Sequence, residues 1–180
     1  RVLDGAVALF CAVGGVEPQS EAVWRQADRY HVPRIAFINK MDRPVADFKK
    51  VVAAIRDRLG AHPLPVQIPI GREENFRGVC DLVRMQAVTY NDQTLGDEFT
   101  VGEIPPELLS EVRQARENLI EMISDFDDTL MNKFLNDEAL SQQELMDAIR
   151  KATLSMKAIP VLCGSAFKNK GVQPLLDAVV

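Results

Sequence analysis

Asn39, Lys40 and Asp42 close the apolar run at residues 35–38, and Ser165, Ala166 and Lys168 follow the apolar run at residues 159–163. Both sets are polar, closely spaced and placed directly after a stretch that reads as a buried strand. Asp42 carries the most specific chemistry. An ionised carboxylate has two acceptor oxygens and no donor. It complements a base edge with two adjacent donors, the ring N1–H and exocyclic amine of guanine. It opposes adenine, whose ring nitrogen is an acceptor. Where a site is built on such hydrogen bonds, rejection of the wrong partner reaches roughly 10⁴–10⁵-fold. Asn39 can hold the loop and meet the acceptor edge of the base. Lys40 can lay its apolar stem along the ring or sugar while its charge stays in water. In the second set, the small Ala166 lets the backbone approach, so that its N–H reaches the base carbonyl oxygen. Ser165 braces the loop and Lys168 covers the other face of the base. N-K-x-D alone equally suits a polar strand-to-helix loop. The weight comes from two such clusters, in order, each at the end of a buried strand.

These loops need a frame. Residues 6–13, 35–38 and 159–163 are nearly continuous apolar runs, the pattern of parallel strands covered on both faces. Helical spacing follows each. Residues 19–30 carry Val23, Ala27 and Tyr30. Residues 47–60 carry Val51, Val52, Ile55 and Leu59, with Asp47 as an N-cap and Gly60 as a stop. Gly171 precedes Leu175, Leu176 and Val179. Strand and helix in alternation predict a doubly wound α/β sheet. In such sheets ligands bind outside the carboxyl ends of the strands, where both polar clusters fall.

Residues 61–158 interrupt the alternation. Residues 64–70 and 79–90 read as strands, and Pro105-Pro106 opens a long helix with Leu108, Val112, Leu119 and Ile123. Residues 130–135 suggest a second helix, and Ser141 with Glu144 forms a capping box before a third. The expected organisation is one α/β unit from 1–60 and 159–180, and an inserted α+β subdomain at 61–158 with a small core of its own. Charge divides the same way. Residues 60–158 hold 9 basic and 18 acidic side chains, net −9, and the remainder hold 12 and 8, net +4. The basic part suits phosphates, and the acidic part suits a basic protein surface or plain solvation.

Several chemistries drop out. Cys11, Cys80 and Cys163 are far apart and form no CxxC, which argues against a disulfide framework or zinc site and fits a reducing, cytoplasmic setting. No apolar run approaches the roughly 20 residues of a membrane helix. No G-x-x-x-x-G-K-[ST] occurs, so nothing here cradles phosphates in that manner. Gly14-Gly15 reads as a tight turn, and the D-x-x-G at residues 57–60 ends a predicted helix rather than following a strand. His31 and His62 are isolated, and Asp125, Asp127 and Asp128 lack calcium-loop spacing. Trp24 reads as a packing residue. The chain opens inside an apolar run without Met and ends mid-helix, and it is expected to be a piece of a longer protein.

The stretch RVLDGAVALFCAVGGVEPQSEAVWRQADRYHVPRIAFINKMDR at 1–43 and CGSAFKNKGVQPLLDAVV at 163–180 resemble bacterial-type translation elongation factor G. The likeness extends over the whole chain and is looser across 90–158. It implies the second half of a P-loop-type GTPase domain, a parallel sheet with flanking helices, interrupted by the α+β insert. Asn39, Lys40 and Asp42 match that family's guanine-recognition motif, and Ser165, Ala166 and Lys168 its last nucleotide motif. The resemblance implies GTP or GDP as ligand, with Mg²⁺ held by residues of the parent protein outside this stretch. No catalytic residue falls within it, and residues 1–180 alone are expected to be inactive. It also implies a ribosome-dependent GTPase that drives translocation during elongation, a monomeric cytoplasmic parent, and contact with the ribosomal stalk protein through the insert. Alternatives are a stretch acting only as a stalk-docking module, or a related release or ribosome-protection GTPase. Pro44-Val45 departs from the Met-Gly often found in relatives, outside the base contacts.

Overall fold

The computed structural model describes residues 2–94, 96–136 and 138–180; Arg1, Leu95 and Asp137 lie outside them. In chain order the strands and α-helices are β1 (Ala6–Cys11), α1 (Pro18–Arg29), β2 (Arg34–Asn39), α2 (Phe48–Leu59), β3 (Pro63–Pro65), β4 (Gln67–Ile70), β5 (Gly78–Asp81), β6 (Gln86–Tyr90), β7 (Phe99–Gly102), α3 (Leu109–Ser124), α4 (Asp128–Leu135), α5 (Gln142–Leu154), β8 (Ile159–Cys163) and α6 (Val172–Val179). Four strands make an all-parallel sheet in the order β1-β2-β8-β3, and four make an antiparallel sheet in the order β4-β5-β6-β7.

Strand order decides where the helices go. The steps from β1 to β2 and from β2 to β3 run the same way across the parallel sheet. Right-handed crossovers then put α1 and α2 on one face, and the two helices touch each other. The return from β3 to β8 runs the other way and puts α5 on the opposite face, against β2 and β8. Helix ends follow local chemistry. The Asp47 carboxylate accepts the Lys50 N–H at 3.0 Å, and Gly60 at φ +62° closes α2.

At α5 the Ser141 hydroxyl accepts the Glu144 N–H, and the Glu144 carboxylate accepts the Ser141 N–H at 3.0 Å. The Glu144 carboxyl also takes a hydrogen bond from the Lys133 ammonium, which with the Ser141 bonds pulls it down to about 2. Loss of the Ser141 hydroxyl leaves the Glu144 N–H without its acceptor. Ser141→Ala is expected to destabilise the fold by about 1 kcal/mol. That is roughly 2–4 °C in Tm for a domain of this size, read by thermal melts. An unchanged melt contradicts the cap's role.

The structure departs from the sequence reading in several places. The run at 64–70, expected as one strand, is divided between the two sheets. Val66 is the junction. Its N–H donates to Val161 O at 3.1 Å in the parallel sheet, and its carbonyl accepts from Leu82 N at 3.0 Å beside the antiparallel one. The run at 79–90 is a hairpin rather than a strand. Its turn has no Gly, Pro or Asn; the Asp81 carboxylate closes it by accepting the N–H groups of Val83 and Arg84 at 2.8 and 2.9 Å. On α1 the buried side chain is Trp24, while Val23 and Tyr30 face outward. Strand β1 is an edge strand, and Val7 and Leu9 on it are exposed rather than covered. Among the described residues the core of 61–158 is continuous with that of the parallel sheet. Ile38, Ile55 and Val161 belong to the same buried cluster as Ile70, Leu82 and Leu119.

Candidate functional site

The register of β2 on β8 places Ile38 opposite Cys163, so the two polar loops leave the sheet side by side at its carboxyl edge. The ladder continues beyond the strands. Gly164 N donates to Ile38 O at 3.0 Å and Met41 N to Gly164 O at 3.1 Å. Met41, buried to 1% exposure, pins the first loop from within. The turn needs Lys40 in the left-handed region at φ +67°, uncommon for a residue with a side chain.

Asn39 joins the two loops directly. Its Oδ1 accepts the Lys40 N–H at 2.8 Å and the Ala166 N–H at 2.9 Å, across 127 residues of chain. This is the bracing expected of Asn39. The Ala166 N–H, expected to reach the base carbonyl, donates in this structure to the Asn39 carboxamide at the end of the neighbouring strand. Ser165 braces its loop through the backbone rather than its hydroxyl. Its N–H donates to Lys170 O at 2.9 Å, and its carbonyl accepts from Lys168 and Lys170. The Ser165 Oγ is buried without a hydrogen-bond partner among the described residues. The Asp42 carboxylate is half-buried and makes no hydrogen bond or ion pair among them. Ala166 and Lys168 lie on the 3-10 turn after β8, Ala166 exposed and Lys168 half-buried, and Lys40 is exposed on the facing loop. Two loops tied edge to edge thus carry an Asp42 carboxylate with both acceptor oxygens unused and a Ser165 hydroxyl without a partner among the described residues.

Two further residues hold these loops, and the sequence reading passed over both. Lys170 is buried to 1% exposure. Its ammonium donates to Phe76 O at 3.0 Å and pairs with Asp92 at 2.6 Å. That hydrogen bond holds the Asp92 carboxyl below the usual carboxylate range. Glu73, between β4 and β5, donates its N–H to Met41 O at 3.0 Å and accepts the Val45 N–H on Oε1 at 2.9 Å. Nothing in the letters around Lys170 signals burial. Glu73 carries one cue, a charge placed just after the end of the apolar run through Ile70 and Gly71.

Among the described residues no group of three or more His, Cys, Asp or Glu side chains is placed to hold a metal ion. No helix among them is long and apolar enough to cross a membrane. An apolar groove of about 510 Å³ lies elsewhere, between the beginnings of the parallel strands and helices α5 and α6; none of the six candidate residues lines it.

The family profile described as the elongation factor Tu GTP binding domain matches residues 1–180. A crystal structure of a Thermus thermophilus protein is similar with a TM-score of 0.85 at 28% identity, covering 98% of this chain and 26% of that one. The chain therefore spans about a quarter of the length of that protein.

Proposed function

The chain belongs to the elongation factor Tu GTP binding domain family, and from that premise we propose that residues 1–180 are the base-reading part of a ribosome-dependent translational GTPase of the elongation factor G type, acting in translocation. Asn39 ties the two loops, Asp42 reads the paired guanine donors, and Lys40 and Lys168 cover the base. Ser165 and Ala166 shape its second wall. The observation that carries the reading is the Asn39 carboxamide bridging loops 127 residues apart. The Asp42 carboxylate, on the first of these loops, has no protein hydrogen-bond partner among the described residues. Calorimetry on the full-length polypeptide tests it: GDP and GTP bind, ATP does not compete, and Asn39→Ala weakens GDP. Equal binding of ATP and GTP refutes it.

Phosphoryl transfer is chiefly positioning of phosphates, Mg²⁺ and water. Residues 1–180 hold no phosphate-cradling motif of the P-loop kind, and Mg²⁺ would be held by other residues of the parent. Expressed alone, they are expected to hydrolyse no GTP, with or without ribosomes. A ribosome-stimulated phosphate-release rate above background, in a preparation free of full-length protein, overturns this.

The remaining assignments are of the same kind: a cytoplasmic, monomeric parent, and an insert that docks on the ribosomal stalk protein. Because β3 joins the parallel sheet, the insert is taken to begin at Val66 rather than at residue 61. A second reading, a docking module alone, draws on the net −9 of residues 60–158 and on the outward-facing Phe99 and Val101 of β7. Stalk protein that shifts no NMR resonance of the insert counts against it.

A further inference from the structure

We propose that the turn between β4 and β5, residues 71–77, is a brace that sets both base-reading loops in register, with Glu73 and Lys170 as positioning residues for base selection. The proposal rests on the guanine-site reading above and adds what holds that site in shape. The turn reaches each loop separately. Glu73 grips the first by two bonds that flank Asp42, its N–H on Met41 O at 3.0 Å and its Oε1 on Val45 N–H at 2.9 Å. The same turn holds the second loop through Phe76 O, which accepts from the Lys170 ammonium at 3.0 Å. Lys170 is one residue past Asn169, whose side-chain amide donates to Asp97 Oδ1 at 3.1 Å.

The brace itself is sterically fixed. Gly71 has φ +75°, and a Cβ there would stand 2.1 Å from Asn75 O. Phe76 is buried to 1% exposure and roots the far end in the core. The loop it grips is strained: Lys40 and Val45 occupy the left-handed region at φ +67° and +65°, as does Glu73 on the brace at +55°. For the β-branched Val45 this is an outlier. Such conformations persist only where neighbouring contacts over-determine them, and they gather at functional sites. Here the over-determining contacts are the two Glu73 bonds. A carboxylate that must meet two donors at once tolerates little displacement, so a loop released at Val45 loses selectivity before it loses its fold.

The test uses the full-length polypeptide and compares GDP with IDP, whose base lacks the exocyclic amine read by Asp42. Glu73→Ala is expected to weaken GDP by roughly tenfold or more and to cut the GDP-over-IDP ratio by about tenfold, with Tm held within a few degrees. Glu73→Gln keeps an acceptor oxygen for Val45 N–H and should restore both values. Lys170→Met should show the same collapse of the ratio; if it does not fold, the Glu73 pair decides alone. An unchanged GDP-over-IDP ratio in Glu73→Ala, or failure of Glu73→Gln to restore it, overturns the brace. Asp42→Asn run alongside separates the two readings. If it alters base preference while Glu73→Ala does not, only the brace falls. If Asp42→Asn alters nothing, the base site falls and the brace with it.

Discussion

Asp42→Asn in the full-length polypeptide is expected to move base preference from guanine to xanthine, with the ratio of affinities changing by roughly 10⁴-fold. The carboxylate offers two acceptors to the N1–H and exocyclic amine of guanine. Asparagine offers one acceptor and one donor in nearly the same shape. Xanthine keeps N1–H and places a carbonyl where guanine has its amine, so it pairs with the amide and leaves no polar group facing its like. Guanine in the variant puts its amine against an NH₂, and both are left unpaired. The size of the effect follows from how firmly the residue is placed. Met41 beside it is buried, its N–H is held by Gly164 O, and its carbonyl is held by Glu73 N. Among the described residues the carboxylate makes no protein bond that the substitution would break, so folding should be little changed. Competition of GDP and XDP against a fluorescent nucleotide reads the result. Retained preference for GDP removes Asp42 from base reading.

The second large effect is expected at the neck of the other loop. Gly164 and Gly171 face each other there. A Cβ on Gly171 would stand 2.5 Å from Cys163 O and 3.1 Å from Gly164 Cα, and its φ of +84° disfavours any side chain. A Cβ on Gly164 would stand 2.3 Å from Lys170 O and 2.8 Å from the Phe37 ring. In both cases backbone must move, and this backbone carries the Ser165–Lys170 bridge. Gly171→Ala is expected to cost about 2–5 kcal/mol, combining overpacking with left-handed strain, and to abolish measurable nucleotide binding. Gly102→Ala is the internal control, since nothing lies within 4 Å of a Cβ there. Urea midpoints and GDP affinities of the two variants check the contrast. A Gly171→Ala protein as stable as Gly102→Ala contradicts the close-approach argument.

The parallel sheet was legible because β2 and β8 are buried strands and their apolar runs are unbroken. The two loops stood out because two polar clusters, in order, each follow a buried apolar run, where either alone would pass as an ordinary connection. What stayed hidden has physical causes. The run at 64–70 is apolar apart from Gln67 and feeds a core both sheets share, and one polar residue in seven does not mark the crossing at Val66. The hairpin after β5 turns on the Asp81 side chain, and a single Asp is a weak signal beside Gly or Asn-Gly. Strand β7 is exposed along its whole length and shows no buried face to detect. Lys170 and Glu73 act through backbone carbonyls and N–H groups far along the chain, a kind of partner that residue types do not reveal.

The crossing at Val66 has a mechanical consequence. One residue is bonded on its N–H side to Val161 and on its carbonyl side to Leu82. A swivel at this point would have to give up a backbone bond at either sheet, each a group that is costly to leave unmade when buried. The joint therefore behaves as a weld, and a push on the antiparallel sheet is carried as displacement rather than absorbed as bending. It enters the parallel sheet at β8, two residues before the Cys163 carbonyl that packs against Gly171.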